Sequence, residues 1–379
     1  MKIGILSMQR IVNNGSFLQA YALRETLRAF SGSDAEFIDF DNALQNKKEM
    51  EKKQPFLLRL LRDVKHTLLP QYRPYMRTRR YGKKFVRKWA ECLPALGLQR
   101  EPNDDQGKHY DLVVIGSDEV FNLCQFSDEN VDIPWCLLGE GIDTEHLISY
   151  AASCGQTSIE GLRTIGEEQR CRDLLHRFDA VSVRDENTFH VIKSLTGVSP
   201  QYHIDPVLLA AGFPKDSSYR KLPFRYMLIY AYTRRINSDD EIKAIQAYAQ
   251  KNGLKTVGVN CFQTWCDQLV ACSPFALLQY VRDAECVVSD TFHGTVFSIR
   301  ENVPFAVIVR KSNSNKIRFL LRQFGLENRE SGTASDIEPV LRHSMDFTGV
   351  NKRLEEERKK ANQYLREQIE RAEENRRGA

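Results

Sequence analysis

The segment Val287-Val288-Ser289-Asp290-Thr291-Phe292-His293-Gly294-Thr295-Val296-Phe297-Ser298 changes character halfway along, and the chain is read outward from it. Apolar Cys286 to Val288 suit a short buried strand, Asp290 to Gly294 carry the polar and small residues of a tight turn, and helical spacing begins at Thr295. A strand that hands over to a helix in this way belongs to an open α/β sheet, which binds ligands at the carboxyl ends of its strands. His293 stands at that end. Imidazole exchanges a proton near neutral pH, so His293 is the first candidate for acid–base chemistry.

Alternation of strands and helices continues on both sides. Strands are expected at Lys2 to Ser7, Glu36 to Phe40, Asp111 to Ile115, Leu147 to Ala152 and Ala180 to Val183, then at Tyr226 to Ala231, Lys255 to Val259, Cys286 to Ser289 and Pro304 to Val309. An amphipathic helix with Ala20, Leu23, Leu27 and Phe30 on one face, capped near Ser16, separates the first two. Ser273 followed by Pro274 marks another helix start. The fold class is therefore α/β, with two Rossmann-like domains facing a cleft: residues 1–212 and residues 223–345, joined through the proline- and glycine-bearing stretch Asp205 to Leu222. The charged residues 350–379, with Leu354, Tyr364, Leu365 and Ile369 as anchors, read as a terminal helix packing back on the body.

Composition excludes several classes. No apolar run reaches the roughly 20 residues that cross a bilayer, and the amino-terminal residues read as a strand and a polar loop, so a cytoplasmic protein is expected. The nine cysteines form no CxxC pair, and the spacing of Cys261, Cys266 and Cys272 fits no zinc template; no metal site is expected. Net charge is only +4, but between Lys52 and Lys88 thirteen Lys or Arg meet one acid, Asp63, among interleaved leucines and aromatics. Such a segment is either a solvated helical face or a contact for anions, and a membrane surface is favoured over nucleic acid because no nucleic-acid motif accompanies it.

The chain has no GxGxxG after a strand, no GxxxxGK[ST], no HExxH and no GxSxG. It does place compact polar loops after strands: Asn13 to Ser16, Gly116 to Asp118, Ser153 to Gly155, Arg184 to Glu186 and Asp290 to Gly294. Glycine turns at helix starts, with Arg184 directly after a strand, suit a small polyanion.

The order of these pieces is similar to that of the polysaccharide pyruvyl transferase family. The resemblance is carried by Asn14-Gly15 with Leu18 to Leu23, by Val114 to Asn122, by Val183 to Glu186, by Asp205-Pro206-Val207, by Ser289 to Gly294, and by Lys316-Ile317-Arg318 leading to Phe324-Gly325-Leu326. It implies a GT-B-like fold, phosphoenolpyruvate as a co-substrate with no further cofactor, and a saccharide acceptor whose two hydroxyls close a cyclic pyruvate ketal. Exopolysaccharide or capsule biosynthesis, on a polyprenyl-diphosphate-linked sugar at the inner leaflet, follows as the expected setting.

The chemistry then suggests roles. Phosphoenolpyruvate carries two anionic groups, which a guanidinium fork matches, and Arg184 is the first choice for them. His293 is expected to protonate the enol carbon, making His293 and Arg184 the catalytic pair. Thr291, Phe292, Gly294, Lys316 and Arg318 complete the expected donor site, the last two in a loop over the donor. Asn14, Gly15, Gln19, Ser117 and Asp118 are expected on the acceptor side; Asp118 reads equally as activating a hydroxyl and as capping a turn. One departure stands out: some relatives carry Arg where this chain has Thr291, so the missing charge is sought at Lys316 or Arg310. Two other readings remain, a nucleotide-sugar glycosyltransferase with Asp39-Phe40-Asp41 as a metal-binding DxD, and a non-catalytic saccharide- or membrane-binding module.

Overall fold

A computed structural model describes residues 1–39, 73–99, 105, 107–127, 133–233 and 235–378, with backbone only for residues 73–77. The first sheet contains β1 (Ile3–Leu6), β2 (Ala35–Phe37), β3 (Leu112–Asp118), β4 (Leu147–Ala152), β5 (Ser182–Val183) and β6 (Gln201–Tyr202) in the order β2-β1-β3-β4-β5-β6. The second contains β7 (Tyr226–Tyr230), β8 (Lys255–Val259), β9 (Gln268–Val270), β10 (Cys286–Ser289), β11 (Phe305–Ile308) and β12 (Glu330–Ser331) in the order β9-β8-β7-β10-β11-β12. Every pairing in both is parallel. The protein is thus α/β, with two Rossmann-like sheets, as expected.

The strand orders decide where a ligand can sit. The order in which strands are added reverses between β1 and β3 in the first sheet and between β7 and β10 in the second, and at such switch points the loops diverge and leave a crevice. The loops concerned follow Leu6, Asp118, Tyr230 and Ser289.

Two helix starts differ from the sequence reading, for one reason. The first helix, α1 (Asn14–Ser31), is capped by Asn13, whose side chain accepts from the Gly15 and Ser16 amides, and not by Ser16. The helix after β10, here α5 (Phe292–Glu301), is capped by Thr291, whose hydroxyl accepts from the Gly294 amide at 2.9 Å. A cap three or four residues earlier than expected pulls Gly15 and His293 out of their expected turns into first helical turns. The helix α4 (Pro274–Arg282) is capped by Ser273 as expected.

The two halves share a core. Phe17 and Tyr21 of α1 pack edge-to-face on Phe275 of α4, with ring centroids 5.4 and 5.0 Å apart. Phe17 is fully buried, and its truncation to Ala would cost about 3–5 kcal/mol. The helix α6 (Ser314–Phe324) reaches the first half through Arg322, which bonds Glu186 at 2.6 Å. Last comes α7 (Phe347–Gly378), which packs on the first sheet: the Tyr364 hydroxyl donates to the Ser149 carbonyl at 2.9 Å. Of the basic segment, residues 52–72 lie outside the described residues; the remainder forms α2 (Arg73–Ala90), anchored by Phe85 and Trp89 with Lys83, Lys84 and Arg87 exposed. No helix among the described residues is long and apolar enough to cross a membrane.

Candidate active site

Both switch points open on one cavity of about 1300 Å³, lined from the first half by Asn14, Asp118, Glu119 and Arg184 and from the second by Tyr232, Arg235, Thr291, Phe292, His293 and Lys316. His293 is 8% exposed. Its ring lies against the backbone of Gly15: a Cβ there would stand 2.1 Å from Nδ1, so only glycine fits. Gly15 is a seat for the imidazole and does not line the cavity. Gly294 has a similar duty toward β10, since a Cβ on it would meet Ser289 Oγ at 2.0 Å.

Behind the imidazole stands Asp205, fully buried at the start of a short helix, α3 (Pro206–Leu209). Its Oδ2 is 3.5 Å from His293 Nε2, which is sealed from solvent and otherwise without a partner. The other ring nitrogen, Nδ1, has no hydrogen bond among the described residues. An imidazole held this way by a carboxylate on one nitrogen presents the other to a substrate.

Arg184 departs from its expected role. Its Nη1 donates to Asp205 Oδ2 at 2.9 Å and its Nη2 to Asp118 Oδ1 at 3.1 Å, while the guanidinium carbon lies 4.4 Å from the centre of the Phe292 ring. The fork meant for a donor already holds two carboxylates. Burial pushes the Asp118 carboxyl up, but the charges of Arg184 and His293 and the Ser16 hydroxyl outweigh it and hold the group well below the usual carboxylate range. Burial acts on Asp205 in the same way, and His293 and Arg184 again win.

Lys316 crosses the cleft to pair with Glu119. Arg318 sits two residues further along α6, bidentate to Glu330 and outside the cavity lining, because positions i and i+2 of a helix face different ways. Neither residue lies in a loop. Arg310, the other candidate for the missing charge, is bidentate to Glu241 at 2.7 and 2.8 Å and also stays outside the lining. Gln19 and Ser117 are fully buried and serve the first sheet: the Gln19 amide donates to Ser7 Oγ and its oxygen accepts from the Ser117 amide. They are framework residues, not acceptor contacts. Asn14 does face the cavity and joins the halves, accepting from Asn260 at 3.3 Å and donating to the Tyr230 hydroxyl at 3.4 Å.

Sequence reasoning missed Arg235, Tyr232 and Asn260, which come from loops after β7 and β8. Of the five large apolar side chains exposed among the described residues, Ile11, Val12, Val86 and Tyr232 all border this cavity. In the DxD triplet, Asp39 is buried against Arg10 and does not line the cavity, and Phe40 and Asp41 lie outside the described residues. None of the nine cysteines forms a disulfide.

Among solved structures, the chain is similar to UDP-GlcNAc 2-epimerase from Neisseria meningitidis bound to UDP-GlcNAc, at 12% identity and a TM-score of 0.45 with 100% of each chain covered. It is also similar to the glycotransferase of kitacinnamycin, at 12% identity and a TM-score of 0.45, covering 99% of this chain and 98% of that one. A third is the N-terminal domain of Candida albicans trehalose-6-phosphate phosphatase, at 10% identity and a TM-score of 0.45, again with 99% and 98% covered. No protein of curated function matches the sequence. Residues 13–312, well over half of the chain and including every cavity-lining residue named above except Ile11, Val12 and Lys316, match one family model, and the protein belongs to the polysaccharide pyruvyl transferase family.

Proposed function

We propose that the cavity transfers the pyruvyl group of phosphoenolpyruvate to two hydroxyls of a saccharide, forming a cyclic ketal and releasing inorganic phosphate. The observation that carries this reading is the placement of His293, with one nitrogen against the buried Asp205 and its ring on Gly15 at the floor of the cavity. A proton from His293 turns the donor's methylene into a methyl and leaves cationic character on the carbon that bears phosphate. One sugar hydroxyl adds to that carbon and its proton returns to His293, phosphate departs with its bonding pair, and the second hydroxyl closes the ring, its proton leaving with the phosphate. Donor charge is met by side chains, so no metal or further cofactor is required.

Polarity of the walls supports an orientation. Both carboxylates that line the cavity among the described residues, Asp118 and Glu119, come from the first half, where Arg79 and Arg184 balance them; the second contributes Arg235, Lys316 and His293 and no carboxylate, so the excess positive charge lies there. The helices α5 and α6 also start there, with no acidic residue in either first turn. The donor is therefore assigned to the second half, and the acceptor hydroxyls to the side of Asn14 and Asp118. Arg184 fixes Asp118 and Asp205, and meets the donor only by releasing one of them.

The apolar residues at the mouth and the exposed cations of α2 favour an acceptor on a polyprenyl diphosphate at the inner leaflet, in surface polysaccharide biosynthesis. Protein sedimenting with anionic but not neutral liposomes, and losing this when Arg80, Lys83, Lys84 and Arg87 become Glu, is the expected behaviour; indifference to anionic liposomes at low salt would remove the membrane from the account. The reaction itself is tested by phosphate release in the presence of phosphoenolpyruvate and a panel of lipid-linked and free galactosides and mannosides. Release must require both substrates, and the acceptor must gain a pyruvate ketal by mass; turnover with a nucleotide sugar in place of phosphoenolpyruvate would overturn the reading.

A further inference from the structure

We infer that Arg235, together with the start of α6, binds the phosphate of the donor; this deepens the phosphoenolpyruvate reading and rests on it. A phosphate-bearing substrate needs a cation whose hydrogen-bonding capacity is not already taken up, and the paired cations of the cavity do not meet that need. Arg184 is paired with two carboxylates, Asp118 and the fully buried Asp205, and Lys316 is paired across the cleft with Glu119. Arg235 is differently placed. Its Nε turns back to Asp290 at 3.1 Å, behind the cavity wall, and Nη2 donates to Ser312 Oγ. Nη1 has no hydrogen bond among the described residues, and the side chain is 26% exposed on the cavity surface.

Asp290 gives Arg235 a fixed stance. That carboxylate is fully buried and also faces Arg310 at 3.7 Å, which is itself bidentate to Glu241. It immediately precedes Thr291, the cap of the helix that carries His293, so the guanidinium is tethered to the turn that positions the proposed acid. Ser312 and Asn313 line the same wall and lead into α6, whose first-turn amides carry no acidic competitor. A planar fork beside a helix start is a well-matched pair of donors for a phosphate. The amino-acid type at Thr291 carries no charge, and Arg235 supplies one from the loop after β7.

The test is calorimetric titration of the full chain with phosphoenolpyruvate and, separately, inorganic phosphate. Arg235→Gln is expected to weaken both by about ten- to a hundredfold, Arg235→Lys to fall between, and Arg318→Gln to change neither. Because removing the guanidinium takes a partner from buried Asp290, the double variant Arg235→Gln with Asp290→Asn is measured as well, and the same weakening is expected in a chain relieved of the buried charge. Wild-type affinity in folded Arg235→Gln, or weaker phosphoenolpyruvate binding with unchanged phosphate binding, overturns the phosphate assignment and leaves the donor reading standing. Wild-type protein that binds neither ligand removes both.

Discussion

The two walls of the cleft solve opposite electrostatic problems. On the first, the partly buried Asp118 and the fully buried Asp205 are kept ionised by His293 and by Arg184, a guanidinium itself sealed from water. On the second, Asp290 is buried between Arg235 and Arg310 with neither carboxylate oxygen in good hydrogen-bonding geometry, and burial pushes it up to about 6. The difference teaches that the first wall is a locked framework around His293, while the second keeps one cation, Arg235, with donor capacity for an incoming anion.

The largest effect expected is on turnover. His293→Ala should lower kcat by about 10²- to 10⁴-fold with the fold retained, since the ring rests on Gly15 without a hydrogen bond to it. Near-normal turnover in the folded variant would detach the imidazole from the chemistry and leave the walls without a centre.

Next comes the lock. Arg184→Met takes the guanidinium from fully buried Asp205 and partly buried Asp118 and should cost about 3–5 kcal/mol in urea denaturation, whereas Arg235→Gln, from a partly exposed site whose partner Asp290 keeps Arg310 beside it, should cost about 1 kcal/mol or less. Equal losses would erase the distinction between the walls.

Acid sharpens the contrast by sign. Asp118 has a folded-state pKa below its unfolded one, so its contribution to stability is present above the usual carboxylate range and is lost as pH falls through it. Asp290 is raised, so its contribution is present below about pH 4 and is lost as pH rises toward 6, a change on the order of 2–3 kcal/mol. Relative to Asp290→Asn, wild-type protein should therefore lose stability between about pH 4 and pH 6, and relative to Asp118→Asn it should lose stability as pH is lowered below about 4. Parallel curves for the two variants would contradict the assignment.

The smallest effect belongs to Arg318. Its pair with Glu330 is half exposed and outside the cavity, so Arg318→Ala should change stability by no more than about 1 kcal/mol and leave turnover alone.

Apolar runs made nine of the twelve strands of the two six-stranded sheets legible, because buried parallel strands are continuously apolar. The others, Gln201–Tyr202, Gln268–Val270 and Glu330–Ser331, are two or three residues long, and β6 and β12 in particular carry no such run. Helix starts slipped because the capping side chains, Asn13 and Thr291, stand before the apolar periodicity begins. The His293 turn was visible from strand-to-helix punctuation, but its seat was not: Gly15 and Asp205 reach it only through tertiary contact. Gln19 and Ser117 were misread because a polar residue next to a functional loop looks the same in sequence whether it points into the sheet or the cleft. Arg235 was passed over for a similar reason, since an arginine in a loop after a strand is ordinarily a solvated charge. Arg318 was avoidable: two residues from Lys316 on a helix, it had to face elsewhere.

Carbon protonation followed by ring closure is the proposed reaction, and one measurement reads both. Turnover of phosphoenolpyruvate and acceptor in heavy water, followed by nuclear magnetic resonance of the product, should show a ketal methyl carrying one solvent deuterium, with one phosphate released for each. A product that keeps the methylene as an enol ether, or an acceptor left unmodified while phosphate is released, would contradict it.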